Sequence, residues 1–151
     1  MKHLDQMFVI SATMTTNAKT YNVPRYNPTL IENNNVEADL RIVLHFMVSA
    51  DEYNRLIAIS NDTDVAVIIL HYLKRLCQKG ATEVYMRGGV GNTTRYIPLH
   101  IIASNIGELK CEVLPALRAL TGTDATSKFG TKQAALKLGD SHLSLLQTFG
   151  R

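Results

Sequence analysis

The stretch ISNDTDVAVIIL, Ile59 to Leu70, decides how this chain is read. Upstream, RLIAIS is short and apolar and reads as a buried strand. Downstream, DTDVAVIILHYLKRLCQKG carries helical periodicity, with Asn61 or Asp62 as the cap and Gly80 as the stop. Strand, turn and helix in that order form the repeating unit of α/β folds. The turn holds two carboxylates, Asp62 and Asp64, one residue apart. A helix start uses one aspartate to accept backbone N–H groups. A second one two residues on costs like-charge repulsion unless a cation sits nearby. The place itself matters, because open α/β sheets build their sites at the carboxyl ends of strands.

Moving outward, VEADLRIVLHFMVSA sets Val36, Leu40, Val43, Leu44 and Met47 along one helical stripe, with Glu37 and Asp39 in the first turn. The preceding residues 17–35, with two prolines and six asparagines, read as a long irregular connection, and QMFVIS before them as a strand. EVYMRGGVGNTTRYIPL reads as a β-hairpin, since its glycines lie between β-rich flanks and do not complete a G-x-G-x-x-G opening a helix. LHIIASNIG predicts a short helix stopped near Gly107. CEVLPALRALTG predicts another, whose proline should mark a start or a kink. In TDATSKFGTKQAALKLGD, a turn opens a helix from about Gln133.

A chain of 151 residues, 46% hydrophobic and 19% charged, suits one domain with a real core. The longest strictly apolar run, Val65 to Leu70, falls far short of the roughly 20 residues that span a bilayer. The N-terminal apolar stretch is too short for a signal peptide. The expectation is a soluble intracellular protein, nuclear or cytoplasmic, with no membrane partner. Cys77 and Cys111 have no metal-ligand spacing and are expected to be reduced and buried. Of the net charge of +3, all falls after Leu109, where six Lys or Arg face three Asp or Glu. Such an excess suits either a solvated face or a phosphate-facing one.

Glu37, Asp39, Asp62, Asp64 and Asp124 come from three separate segments, each beside an apolar helix or strand end. Hard cations such as Mg²⁺ or Mn²⁺ take carboxylate oxygens, and paired ions can clamp the attacking and leaving oxygens of a phosphodiester. VEADLRIVLH, AISNDTDVAVIIL and ALTGTDATSKFGTKQAALKL, in this order, resemble the internal region of flap-endonuclease and XPG-type nucleases of the PIN-like superfamily, over roughly residues 36 to 138. They are similar, more closely, to uncharacterised, transposon-derived animal proteins with such a domain. The resemblance implies a three-layer α/β fold with a parallel sheet, an inserted β-hairpin and a C-terminal helical DNA-grip region from about residue 98. It implies that Glu37 and Asp39, Asp62 and Asp64, and Asp124 serve as catalytic metal ligands. It also implies that Gly130, Thr131 and Lys132, with Lys128, hold DNA phosphates, a role that a Gly-opened helix start beside a lysine can fill.

The family draws further aspartates from segments upstream of the Glu-bearing helix. Here the acids before Glu37 are Asp5 and Glu32, neither in a matching motif. The expectation is therefore residues 1–35 as a partial strand and irregular loop, then a PIN-like unit over 36–151 that is incomplete on its N-terminal side. An exposed sheet edge would then favour another copy or a protein partner. Three functions compete: a Mg²⁺- or Mn²⁺-dependent nuclease acting on DNA, a non-catalytic nucleic-acid- or protein-binding remnant of one, and a glycosyltransferase using Asp62-Thr63-Asp64 as a D-x-D motif.

Overall fold

In the computed structural model the described residues are 8–10, 19–21 and 38–121. Two short strands, β1 (Phe8–Ile10) and β2 (Lys19–Tyr21), pair antiparallel as a sheet of their own. β1 falls within the expected QMFVIS strand, whereas β2 lies inside the stretch read as an irregular connection. Its Lys-Thr-Tyr carries two β-favouring residues, a signal outweighed in the sequence by the surrounding prolines and asparagines.

The chain then runs α1 (Ala38–Ser49), β3 (Arg55–Ile59), α2 (Thr63–Lys79), β4 (Glu83–Gly88), β5 (Arg95–Pro98), α3 (Leu99–Ile106) and α4 (Glu108–Thr121). This is an α/β arrangement with a small mixed sheet in the order β3-β4-β5. β3 and β4 are parallel and joined through α2, with Leu56 beside Val84 and Ile59 beside Arg87. β4 and β5 form the antiparallel hairpin read from the sequence, with Arg87 opposite Tyr96 and Gly88 opposite Arg95.

Strand alternation explains the layering. Leu56 and Ala58 of β3 and Val84 and Met86 of β4 are buried, while Arg55, Ile57 and Ile59 point the other way and are exposed. The buried face meets α2, whose Val65, Ile69, Leu73 and Leu76 form a stripe at helical spacing, with Ile69 and Leu76 fully enclosed. Burying each such side chain contributes about 1.5–3 kcal/mol. Val43 and Phe46 of α1, Leu99 of α3 and Cys111 of α4 complete the same core. Among the described residues the helices thus cover one sheet face, giving two layers where three were expected.

The buried side of α1 differs from the expected stripe. Val43, Phe46, His45 and Ser49 are buried, whereas Leu40, Leu44 and Met47 are half-buried, so α1 is rotated toward its polar residues. Burial lowers the His45 pKa below its ordinary value, and the nearby Arg41 charge lowers it further. α4 also corrects the sequence reading. It begins at Glu108 and carries Pro115 in its interior, neither at its start nor at its end. A mid-helix proline leaves the carbonyl four residues earlier, that of Cys111, without its helical donor. One residue along, the Glu112 carbonyl takes a donor from outside the helix, His71 Nδ1 at 2.8 Å. Finally, Cys111 is buried but Cys77 is exposed, and both are free thiols.

α1 and α2 pack against each other. Their carboxyl ends meet where Lys79 Nζ pairs with Asp51 at 2.7 Å and where Gly80, at φ +122°, lies against the Ala50 carbonyl. A Cβ at position 80 would stand 2.9 Å from that oxygen, so the C-cap fits glycine alone. Because β3 and β4 are parallel, α2 between them runs back along the sheet, and the turn after β3 reverses the chain into it. α2 therefore starts at the edge where β3 ends.

Candidate functional site

That edge holds Asp62 and Asp64. Asp62 is the N-cap of α2, with extended backbone, and its Oδ1 accepts the Asp64 N–H at 2.8 Å. Its own N–H donates to Ser60 Oγ at 3.0 Å, which shapes the turn ahead of the cap. The second aspartate has a different partner. Arg118 Nε, in the last turn of α4, donates to Asp64 Oδ1 at 2.6 Å, with both side chains about one-third exposed at 32%. The cation that relieves a pair of adjacent carboxylates is thus an arginine of the fold itself.

Arg118 reaches Asp64 because α4 packs antiparallel on α2 in a definite register. Lys74 Nζ binds Glu108 Oε1 and lies 4.0 Å from Glu112 Oε1, His71 Nδ1 meets the Glu112 carbonyl, and Asp64 meets Arg118. From Lys74 back to Asp64 and from Glu108 on to Arg118 are equal steps along the two helices, about 15 Å each at 1.5 Å per residue. The hydrogen bond from Lys74 to Glu108 raises the lysine pKa. In the sequence Arg118 figured only as one of the basic residues; its matched spacing to Lys74, Glu108 and Asp64 was the signal available.

The hairpin tip is stitched to the same edge. Gly89 N–H donates to Asn61 Oδ1 at 2.6 Å, and Ser60 N–H to the Arg87 carbonyl at 3.1 Å. Between β4 and β5 the loop makes a single 3₁₀ turn at Gly91–Thr93. Gly89 sits at φ +84°, and a Cβ there would fall 2.2 Å from the Thr93 carbonyl oxygen. The Gly-Gly-Val-Gly-Asn run therefore builds a tight hairpin end, as read from the sequence.

The remaining sequence-predicted site residues distribute as follows. Asp39 is half-buried in the first turn of α1. Glu37 immediately precedes α1 and Asp124 follows the last residue of α4, Thr121, by three positions; both lie outside the described residues. So do Lys128, Gly130, Thr131 and Lys132. Among the described residues no three His, Cys, Asp or Glu gather as a metal-holding group. No helix among them is long and apolar enough to cross a membrane.

Away from this edge, an open cavity of about 710 Å³ lies between α2, α3 and α4, lined in part by His71, Cys77, His100 and Cys111. His100 Nδ1 lies 3.0 Å from the Val84 carbonyl, and burial raises the pKa of both thiols. The thiols are therefore held in the less reactive protonated form. No protein-family model, curated protein or solved structure matches the chain.

Proposed function

We propose that the chain is a nuclease-like α/β domain of the PIN-like, flap-endonuclease type, acting on nucleic-acid phosphodiesters. The observation that supports this reading is the pair Asp62 and Asp64 at the start of α2, just past the end of β3, with the last turn of α4 held against Asp64. Asp39 opens α1, Asp62 and Asp64 open α2, and α4 ends beside Asp64 three residues before Asp124. Glu37 immediately precedes α1. Every donor in the set is a carboxylate, which suits Mg²⁺ or Mn²⁺ over a thiolate-seeking metal. When bound, such a cation supplies charge neutralisation at the phosphate and a more acidic water. The chain's own residues set the terms for that binding. Asp62 keeps one oxygen on the Asp64 N–H and offers Oδ2, which meets no donor among the described residues. Asp64 Oδ1 is held by Arg118, which competes with a bound cation for that carboxylate.

A second reading keeps the fold without hydrolysis: a binding remnant whose acids have become structural. Its support is specific, since Asp62 Oδ1 caps α2 and Arg118 pairs with Asp64 Oδ1, so each acid has a structural role within the fold.

The deciding experiment uses the whole chain. Mn²⁺ titration followed by thermal unfolding should raise the melting temperature if the acids converge on the ion, and labelled single-stranded and branched DNA should be cut. Asp62→Asn with Asp64→Asn should abolish both effects. No thermal shift and no cleavage with Mn²⁺ would leave the binding-remnant reading standing.

A further inference from the structure

The outer face of the hairpin has a composition that the hydrolysis reading does not use. From Val84 to Gly107 there is no acidic residue, while Arg87 and Arg95 stand on the two paired strands. Arg87 sits between Ile59 on one side and Tyr96 on the other, in one row across the sheet face that the described helices leave uncovered. Ile59 is 68% exposed and Tyr96 57%. Arg95 follows the opposite alternation, sharing the side of Gly88, where an added Cβ would touch the Ser60 carbonyl and Asn61 Oδ1 at 3.3 Å. It therefore extends on the side of the turn that leads into Asp62.

Neither arginine has an ion-pair partner among the described residues, and Arg87 Nε is shielded from solvent with no acceptor. A shielded cationic donor without an acceptor is costly, and an anion relieves that cost. An exposed ring beside it, on a hairpin fixed to the acidic edge by the Gly89–Asn61 bond, supplies the other half of a familiar combination. Cationic groups that track a phosphate backbone, with an aromatic side chain on which a base stacks, make a binding surface for single strands.

We infer that the β4–β5 hairpin binds single-stranded nucleic acid, with Tyr96 stacking on a base and Arg87 and Arg95 holding phosphates as the strand passes the Asp62 edge. The inference rests on the nuclease-like reading for what happens at that edge, but not for the binding. In a duplex, paired bases present no free face to Tyr96, so the surface favours unpaired strands.

The test is fluorescence anisotropy of a labelled oligothymidylate with the full chain in EDTA, which keeps hydrolysis silent. Tyr96→Ala should weaken binding by roughly ten-fold, within the range for loss of one stacked base. Tyr96→Phe should bind like the native chain. Arg95→Ala and Arg87→Gln should each lower the slope of log affinity against log salt by about 0.7, the value for one single-strand phosphate contact. These side chains lie on the surface or at its margin, and unchanged melting temperatures will show that the variants fold. Native affinity in Tyr96→Ala and Arg95→Ala overturns the inference, as does equal affinity for a blunt duplex. No binding by the native chain also overturns it and leaves the face to a protein partner. Cleavage by the native chain with hairpin variants binding normally sinks the hairpin alone. Binding lost in those variants, without any cleavage in Mn²⁺, supports the hairpin and sinks only the nuclease reading.

Discussion

Arg118 Nε donates to Asp64 Oδ1 at 2.6 Å, tying the last turn of α4 to the first turn of α2. Both side chains are half-buried, so the pair lies between the exposed ion pairs that contribute little and the buried ones that are costly to break singly. Arg118→Met should destabilise the chain by about 1–2 kcal/mol. Asp64→Asn added to it should recover part of that loss, because the orphaned charge is then gone. Urea unfolding of the four members of the cycle measures the coupling. On the proposed function, Arg118→Met also strengthens the Mn²⁺-induced thermal shift, because Asp64 no longer has a competing cation.

Asp62 offers a cleaner separation of roles. Asp62→Ala removes the acceptor for the Asp64 N–H and should cost about 1 kcal/mol. Asp62→Asn and Asp62→Ser keep a capping oxygen and should fall within a few tenths of a kcal/mol of the native stability. The same two variants should lose the Mn²⁺ effect if Asp62 is a ligand. Equal stability of the alanine and asparagine variants would remove the cap from the account.

The hairpin tip should tell its two left-handed glycines apart. Gly89→Ala places a Cβ 2.2 Å from the Thr93 carbonyl at φ +84° and should cost at least about 2 kcal/mol. Gly91→Ala, at φ +56° with open space around it, should cost about 1 kcal/mol from backbone strain alone. Thermal unfolding of the two variants side by side ranks them.

Buried His45 gives the fold an acid-sensitive component. Its folded pKa is lowered from 6.5, chiefly by burial, so the unfolded chain takes up a proton at a pH where the folded chain does not. That contribution is fully present above about pH 6.5 and is lost as the pH falls from there toward the lower folded value. Melting temperatures measured through this window should fall on acidification, and His45→Gln should flatten the dependence. A native profile unchanged through the window would show that His45 is accessible to protons in the folded chain.

The residues with strong local rules were legible from the sequence. Asp62 and Gly80 bracket α2 because an N-cap carboxylate and a left-handed C-cap are decided within one turn of chain. The β4–β5 hairpin was legible for the same reason, through Gly89 and its β-rich flanks. What escaped was decided by packing over distance. α1 turns His45 and Ser49 inward because α2 and the sheet fix its rotation, not its own hydropathy. Pro115 is tolerated inside α4 where propensity alone would end the helix, with Val113 and Leu117 buried on either side of it. The face that the described helices leave uncovered, with Tyr96 and Arg87, was not foreseen, since three layers were expected. For the site, Asp62 and Asp64 stand together at the end of β3 as read, but Arg118 did not figure, since it lies 54 positions from Asp64.

The matched spacing of charges along α2 and α4 acts as a lock on alignment. Sliding α4 by one turn, about 5.4 Å, in one direction would set Glu108 against Gln78 and Arg118 against Ile68. Sliding it the other way would set them against Leu70 and Ser60. In the first position Lys74 still meets an acid, Glu112, but Asp64 and Arg118 lose each other; in the second neither terminal pair is made. Apolar helix faces can usually settle at more than one height with little difference in energy, but here a single height satisfies both ends together. The two terminal ion pairs, modest as stabilisers, thus exclude the neighbouring alignments, and where the chain leaves α4 is set relative to Asp62 before the residues that follow are reached.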